Sequence, residues 1–320
     1  MEEKKQEEVV KRSYKRLPLG EDNQLLDLGS IKIISPQNLV FISFPKSGKT
    51  LSMVNVPKML IADSEKGTEY FSANNKVNLL DESVEGRFIL TKKYGCIPQT
   101  LHDLVTELYQ ANKMGEYWAA KLAFDTEKDL VTKEQMYKDL VVRMNEMPFP
   151  ILAIDTITSI VTLSNSAALY EFNLPLKPES KKSDAKRIDE FGGVQYIRRK
   201  FDEIKRFIEQ NAAPFIIYSG HIGMKKRLLK KDETEANVLD IALEGVLSTI
   251  FTSKADSVAT FYRNEEGCWL DFQKKEETAL GSRPAHLSNK LIKIADPIKE
   301  GETNPTTYWN LIYPEISFVK

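Results

Sequence analysis

Residues 38–50, NLVFISFPKSGKT, carry a strand-length apolar run directly into a short turn that closes on Gly48, Lys49 and Thr50. The run predicts a buried strand over 38–44, and the glycine-bearing turn re-enters an apolar stretch that predicts a helix from Lys49 to about Met59, closed near Pro57. The alternation then repeats. MLIADSE (59–65), ILAIDTITSI (151–160) and PFIIYSGHI (214–222) read as three further strands. Helices are expected over Thr100–Lys113, where Leu101, Leu104, Val105, Leu108 and Tyr109 recur at helical spacing, and over Lys133–Met147 and Gly193–Gln210. Strand and helix in alternation specify an α/β fold with a mostly parallel central sheet flanked by helices. SVATFYRN and CWLDFQ, separated by Glu265, Glu266 and Gly267, read as a C-terminal β-hairpin that extends it.

The chain has 320 residues, ample for a sizeable core. Residues 1–30 read as a charged N-terminal segment and 31–320 as one domain. With 42% hydrophobic and 28% charged residues, a wholly disordered chain is excluded. Lys and Arg number 45 against 46 Asp and Glu, which excludes a uniformly basic nucleic-acid coat but leaves room for a local basic patch. The apolar runs are strand-sized, well short of the roughly 20 residues of a membrane helix, so no membrane partner is expected. The opening MEEKKQEEVVKRSYKR has no apolar core of a secretory signal, which makes a cytoplasmic setting the expectation. Cys96, Cys268, His102, His221 and His286 are scattered without zinc or disulfide spacing.

Ser43 to Thr50, SFPKSGKT, fits the phosphate-binding loop G-x-x-x-x-G-K-[ST] at every fixed position except the first, where Ser43 replaces glycine. In such a loop consecutive backbone N–H groups turn inward around phosphates. Pro45, Lys46, Ser47, Gly48, Lys49, Thr50 and Leu51 form the expected cradle for ATP. Gly48 permits close approach, Pro45 stiffens the turn without donating, Lys49 reaches the β- and γ-phosphates, and the Thr50 hydroxyl ligates Mg²⁺. Asp155, ending ILAID, supplies the Walker B acid that holds the ion through water; a strand-end Asp also fits a helix cap.

With these motifs Ala62-Asp63-Ser64-Glu65-Lys66-Gly67, Asp155-Thr156 and the strand end YSGHI occur in order, and over residues 38–262 the sequence resembles RecA-like P-loop ATPases, most closely short phage-encoded ones. The resemblance implies that Glu65 orients the attacking water and that His221, where RecA itself carries a glutamine, senses the γ-phosphate. His221 equally fits a satisfied strand-end histidine, and Glu65 a solvated acid. In the host of a phage the setting is again cytoplasmic.

The resemblance also implies that the loops after the third and fourth strands face single-stranded DNA. Pro175–Glu190 and Gly223–Glu235 fall there, both read as loops. The second holds Lys225, Lys226, Arg227, Lys230 and Lys231, the expected DNA contacts. The first offers Lys181, Lys182, Lys186 and Arg187 with Phe191 as a stacking surface, among interspersed acids. A solvated role is open for both. RecA-type sites lie between subunits of a ring or filament and take a basic residue from the neighbour. No second cation beside Lys49 adjoins the motifs in sequence, so Arg283 and Lys290, on a turn after the hairpin, are the candidates, though both also fit a solvated turn. The expectation is an ATP-hydrolysing enzyme that binds single-stranded DNA in phage-type recombination or replication, alongside proteins of those processes. The alternatives are a P-loop motor or loader acting on a protein partner, and a nucleotide-gated assembly module.

Overall fold

Apolar residues at consecutive positions make strands that need cover on both faces, and five such strands form the centre of the protein. The computed structural model describes residues 31–65, 68–69, 73–79, 99–181, 183, 194–228, 235–243, 247–273 and 280–318. Its first elements are β1 (Asn38–Ser43), β2 (Met59–Asp63), β3 (Lys76–Asn78), α1 (Gln99–Ala111), α2 (Met114–Thr126), α3 (Leu130–Glu146), β4 (Ile151–Asp155) and α4 (Ile157–Asn173). There follow α5 (Val194–Asn211), β5 (Phe215–Leu228), β6 (Glu235–Ile241), α6 (Leu247–Lys254), β7 (Ser257–Asn264), β8 (Gly267–Asp271), β9 (Gly281–Ser282) and β10 (Leu291–Ala295).

The sheet runs β10-β8-β7-β1-β5-β4-β2-β3. From β7 to β3 all neighbours are parallel, while β8, β9 and β10 are antiparallel additions at one edge. On one face α1, α4 and α5 bury Leu101, Leu104, Leu108, Ile160, Leu163, Phe201, Ile204 and Ile208 against Val40, Ile42, Ile154 and Ile216. On the other, α2, α3 and the segment around Trp309 and Tyr313 cover Leu39, Phe41, Ile61 and Ile217. The protein is therefore α/β, with a mostly parallel mixed sheet between helices. Asp129 caps α3 by accepting from the Thr132 N–H at 2.8 Å, the expected use of an acid one residue before a helix.

Several expected elements differ. The helix from Lys49 to Met59 is a single 3₁₀ turn, Thr50–Ser52, followed by turns. Asn55 and Lys58 adopt left-handed φ of 57° and 65°, and Pro57 lies between them, so the helical ladder cannot continue. Its hydrogen bonds are replaced from outside. The Asn75 amide donates to the carbonyls of Met53, Val56 and Met59 at 3.1, 3.4 and 3.0 Å, and Trp309 Nε1 donates to Ser52 O at 2.8 Å. The strand expected over 151–160 stops at Asp155, and α4 begins two residues later. Its Ile and Val residues are tolerated because Ile157, Ile160 and Leu163 pack on the core. The expected hairpin is present, but β7 is a core strand paired with β1 rather than a peripheral one.

The segment Gly223–Glu235, expected as a loop, is instead largely strand. β5 continues past the sheet, and its residues 222–228 pair antiparallel with β6. Lys225, Lys226 and Arg227 lie on this ribbon opposite Val238, Asn237 and Ala236. Lys230 and Lys231 fall outside the described residues, as do residues 1–30, Lys182, Lys186, Arg187 and Phe191. Among the described residues no helix is long and apolar enough to cross a membrane.

Candidate functional site

All the parallel strands point their carboxyl ends the same way, so the residues that follow β1, β2, β4 and the core part of β5 meet at one edge. Ligands of open α/β sheets bind outside these ends. Ser43 closes β1, fully buried and in register with His221 of β5. Its Oγ donates to Phe44 O at 3.0 Å, leaving the Ser47 hydroxyl as donor across the 2.7 Å between Ser47 Oγ and Ser43 Oγ. Serine in place of glycine thus ties the first turn to the middle of the loop.

Beyond it the backbone turns left-handed at Lys46 (φ 61°) and Gly48 (φ 95°). The six consecutive N–H groups of Lys46 to Leu51 donate to no protein acceptor among the described residues; the first N–H to do so is that of Ser52, to Gly48 O and Lys49 O. Successive unpaired N–H groups in a turn form a concavity that an anion satisfies. Because a single 3₁₀ turn replaces the expected helix, the favourable field here comes from these N–H groups and from Lys49, and not from a helix dipole.

Lys49 is almost fully buried, and burial lowers its ammonium below the usual lysine range while Asp155 and Glu65 oppose the shift. Its Nζ lies 3.4 Å from His221 Nδ1. An ammonium can only donate, so Nδ1 carries the lone pair and the ring proton sits on Nε2, which lies 3.5 Å from Glu65 Oε2. The other Glu65 oxygen, Oε1, accepts from the Thr156 hydroxyl at 2.6 Å. Glu65 is thereby held from two sides with its remaining lone pairs open to solvent. The Asp155–Thr156 peptide is cis.

Asp155, 3% exposed, accepts from Thr50 Oγ1 at 2.6 Å on one oxygen and from the Ser219 hydroxyl on the other. Burial raises its carboxyl above the ordinary value, against those two donors and the Lys49 charge. A raised carboxyl pKa favours the folded state at low pH, and the contribution is lost as pH rises from the unfolded value through the folded one. Ionising Asp155 in the fold therefore comes at the expense of stability, which is the condition a cation relieves. Asp155→Asn is expected to raise the ligand-free midpoint of thermal unfolding near pH 7.5 by about 2 °C, on the scale of 1 kcal/mol. The advantage over the parent should shrink as pH falls toward 4, and scanning calorimetry across pH checks both.

The structure thus brings Lys49, Thr50, Asp155, Glu65 and His221 together with the loop. Two further residues belong here. Ser219, within YSGHI, orients Asp155. Arg263, near the end of β7, lays its side chain on the loop: a Cβ placed on Gly48 would lie 3.5 Å from Arg263 Cδ and 3.8 Å from Nη1. The expectation that no second cation adjoins the motifs is corrected by it. Its signal was hidden because β7 becomes a neighbour of β1 only through the sheet order.

Arg283 and Lys290 do not join the site within their own chain. Arg283 contacts Asp256 at 3.3 Å and donates to Ser253 O at 3.0 Å, and Asp256 accepts from the N–H groups of Gln37 and Asn38 at the start of β1, the end opposite Ser43. Lys290 is exposed just before β10. No protein-family model matches the chain, and no curated protein matches its sequence.

Proposed function

We propose that the protein is a magnesium-dependent, RecA-like ATPase that acts with single-stranded DNA. The observation that carries this reading is the convergence, at the ends of adjacent parallel strands, of six unpaired N–H groups and Lys49 with the Thr50–Asp155 pair and with Glu65. The donor set suits magnesium: one hydroxyl and one carboxylate, both hard oxygens, with no group of three or more His, Cys, Asp or Glu among the described residues to form a cage. Thr50 and Asp155 would hold the ion, which when bound would supply charge neutralisation for the phosphates.

The chain's own residues do the rest. The N–H groups of 46–51 receive the phosphate oxygens, and Lys49 Nζ places its charge beside the bond to be broken. Glu65 accepts a hydrogen bond from water on a lone pair that Thr156 and His221 leave open, and so aims the water at the terminal phosphorus. His221, bridging Lys49 and Glu65, registers whether Lys49 is drawn to a phosphate. It sits on β5 immediately before the ribbon, so the strand that passes the site ends among Lys225, Lys226 and Arg227.

The DNA part of the reading rests on that basic ribbon in a chain whose overall net charge is only -1. Replacing Lys225, Lys226, Arg227, Lys230 and Lys231 together by Gln is expected to weaken single-stranded DNA binding and to flatten its dependence on salt, by about 0.7 in logarithmic slope for each phosphate that the variant leaves without a cation. Fluorescence anisotropy over a salt series reads both, and DNA should raise the ATPase rate of the parent but not of this variant. Equal DNA affinity in the two proteins would move the ribbon to a protein partner, the motor or loader reading. A nucleotide switch without turnover would have no use for a carboxylate held as Glu65 is. Arg283 and Lys290 enter this site only if a second copy brings its opposite end against the loop, as in a ring or filament.

A further inference from the structure

β7 outruns β1. Their pairing ends at Ile42 and Thr260, and β7 continues to Asn264, so Arg263 rises to the level of the loop that follows Ser43. Its side chain is exposed, and no hydrogen bond or ion pair engages it among the described residues. It lies over Gly48, whose φ of 95° is one that L side chains rarely adopt, so the guanidinium stem meets bare loop backbone.

The lateral order of the sheet gives this position its meaning. Across the strand ends the sequence is Arg263 on β7, the loop on β1, His221 on β5, Asp155 on β4 and Glu65 just beyond β2. Apart from Thr50, which belongs to the loop itself, the water-orienting and cation-holding groups lie on one side of the loop, and Arg263 lies on the other. A polyphosphate whose terminal phosphoryl faces Glu65 and Asp155 must therefore direct its remaining phosphates, and the nucleoside beyond them, toward β7.

We infer that Arg263 binds the phosphate nearest the nucleoside and fixes the direction in which the polyphosphate lies in the loop. The inference rests on the nucleotide-binding reading above. A guanidinium presents parallel donors to two non-bridging oxygens, the geometry that distinguishes it from a lysine point charge. With Lys49 at the terminal end, the two cations bracket the loop.

The test compares Arg263→Ala, Arg263→Lys and Lys49→Ala for equilibrium binding of ATP and of ADP, with steady-state hydrolysis. Arg263→Ala is expected to weaken ATP and ADP by the same factor, about ten- to a hundredfold, because both nucleotides carry the phosphate it contacts. The loss should fall on KM rather than kcat, with Arg263→Lys recovering part of it and all three proteins retaining the circular dichroism of the parent. Full ADP affinity in Arg263→Ala, with ATP binding lost in Lys49→Ala, would overturn the assignment of Arg263 alone. Loss of ATP but not ADP affinity in Arg263→Ala would also overturn it, since the residue would then serve the terminal phosphate. Unchanged ATP binding in Lys49→Ala would instead remove the nucleotide reading itself.

Discussion

Glu65→Gln is expected to lower the rate of ATP hydrolysis at least a hundredfold while ATP remains bound, within the range associated with losing a positioned acid or base. The substitution keeps the shape and the acceptor that Thr156 Oγ1 uses at 2.6 Å. What changes is the second position: an amide there is a donor facing His221 Nε2–H and has no lone pair for water. The neighbouring pair Thr50–Asp155 and the loop are untouched, so affinity should hold within about threefold, well under 1.4 kcal/mol. Single-turnover hydrolysis and equilibrium binding of the same preparation separate the two effects. Turnover equal to the parent would remove Glu65 from the chemistry.

Lys49→Ala is expected to do the reverse, weakening ATP binding by about ten- to a hundredfold or more through loss of a charge-assisted interaction. The ammonium is held almost out of water with its charge disfavoured by burial and no carboxylate in direct contact among the described residues. On the proposed reading a phosphate would supply the missing counter-charge. The ligand-free variant should accordingly unfold at or slightly above the parent's temperature, and ATP should shift its midpoint far less. A thermal-shift titration reads both quantities. An undiminished ATP-induced shift would disprove the role of Lys49.

How much of this was legible in the sequence depends on how local each requirement is. The loop is one continuous stretch whose chemistry demands particular residues in a fixed order, so Gly48, Lys49 and Thr50 announced themselves. Asp155 was legible because it ends an apolar run, while Glu65 and His221 were singled out by the resemblance to RecA-like ATPases; the carboxyl ends of parallel strands share one edge, which brings the three together. The absence of a helix after Thr50 was not, since the apolar spacing of Leu51, Val54 and Met59 mimics one and the partners that replace its ladder, Asn75 and Trp309, are distant in sequence. The helix α4 was hidden by its β-branched start, whose cost is offset by core packing. Arg263 needed the sheet order, and the ribbon needed the pairing of residues 222–228, a basic stretch that reads as loop, with 235–241.

The turn beneath the loop has a consequence for the order in which the protein matures. Its floor is closed by Trp309 Nε1 on Ser52 O, across 257 residues of chain, and by Asn304 Oδ1 accepting from Asn55 Nδ2 at 2.9 Å. A chain emerging from the ribosome can pair β1, β2, β4 and β5 long before those residues exist. Contacts of such long sequence separation form late, after the entropy of closing the intervening chain has been met. The nascent protein would therefore hold a nearly complete sheet while the loop between β1 and β2 stays without its floor until Asn304 and Trp309 have been made.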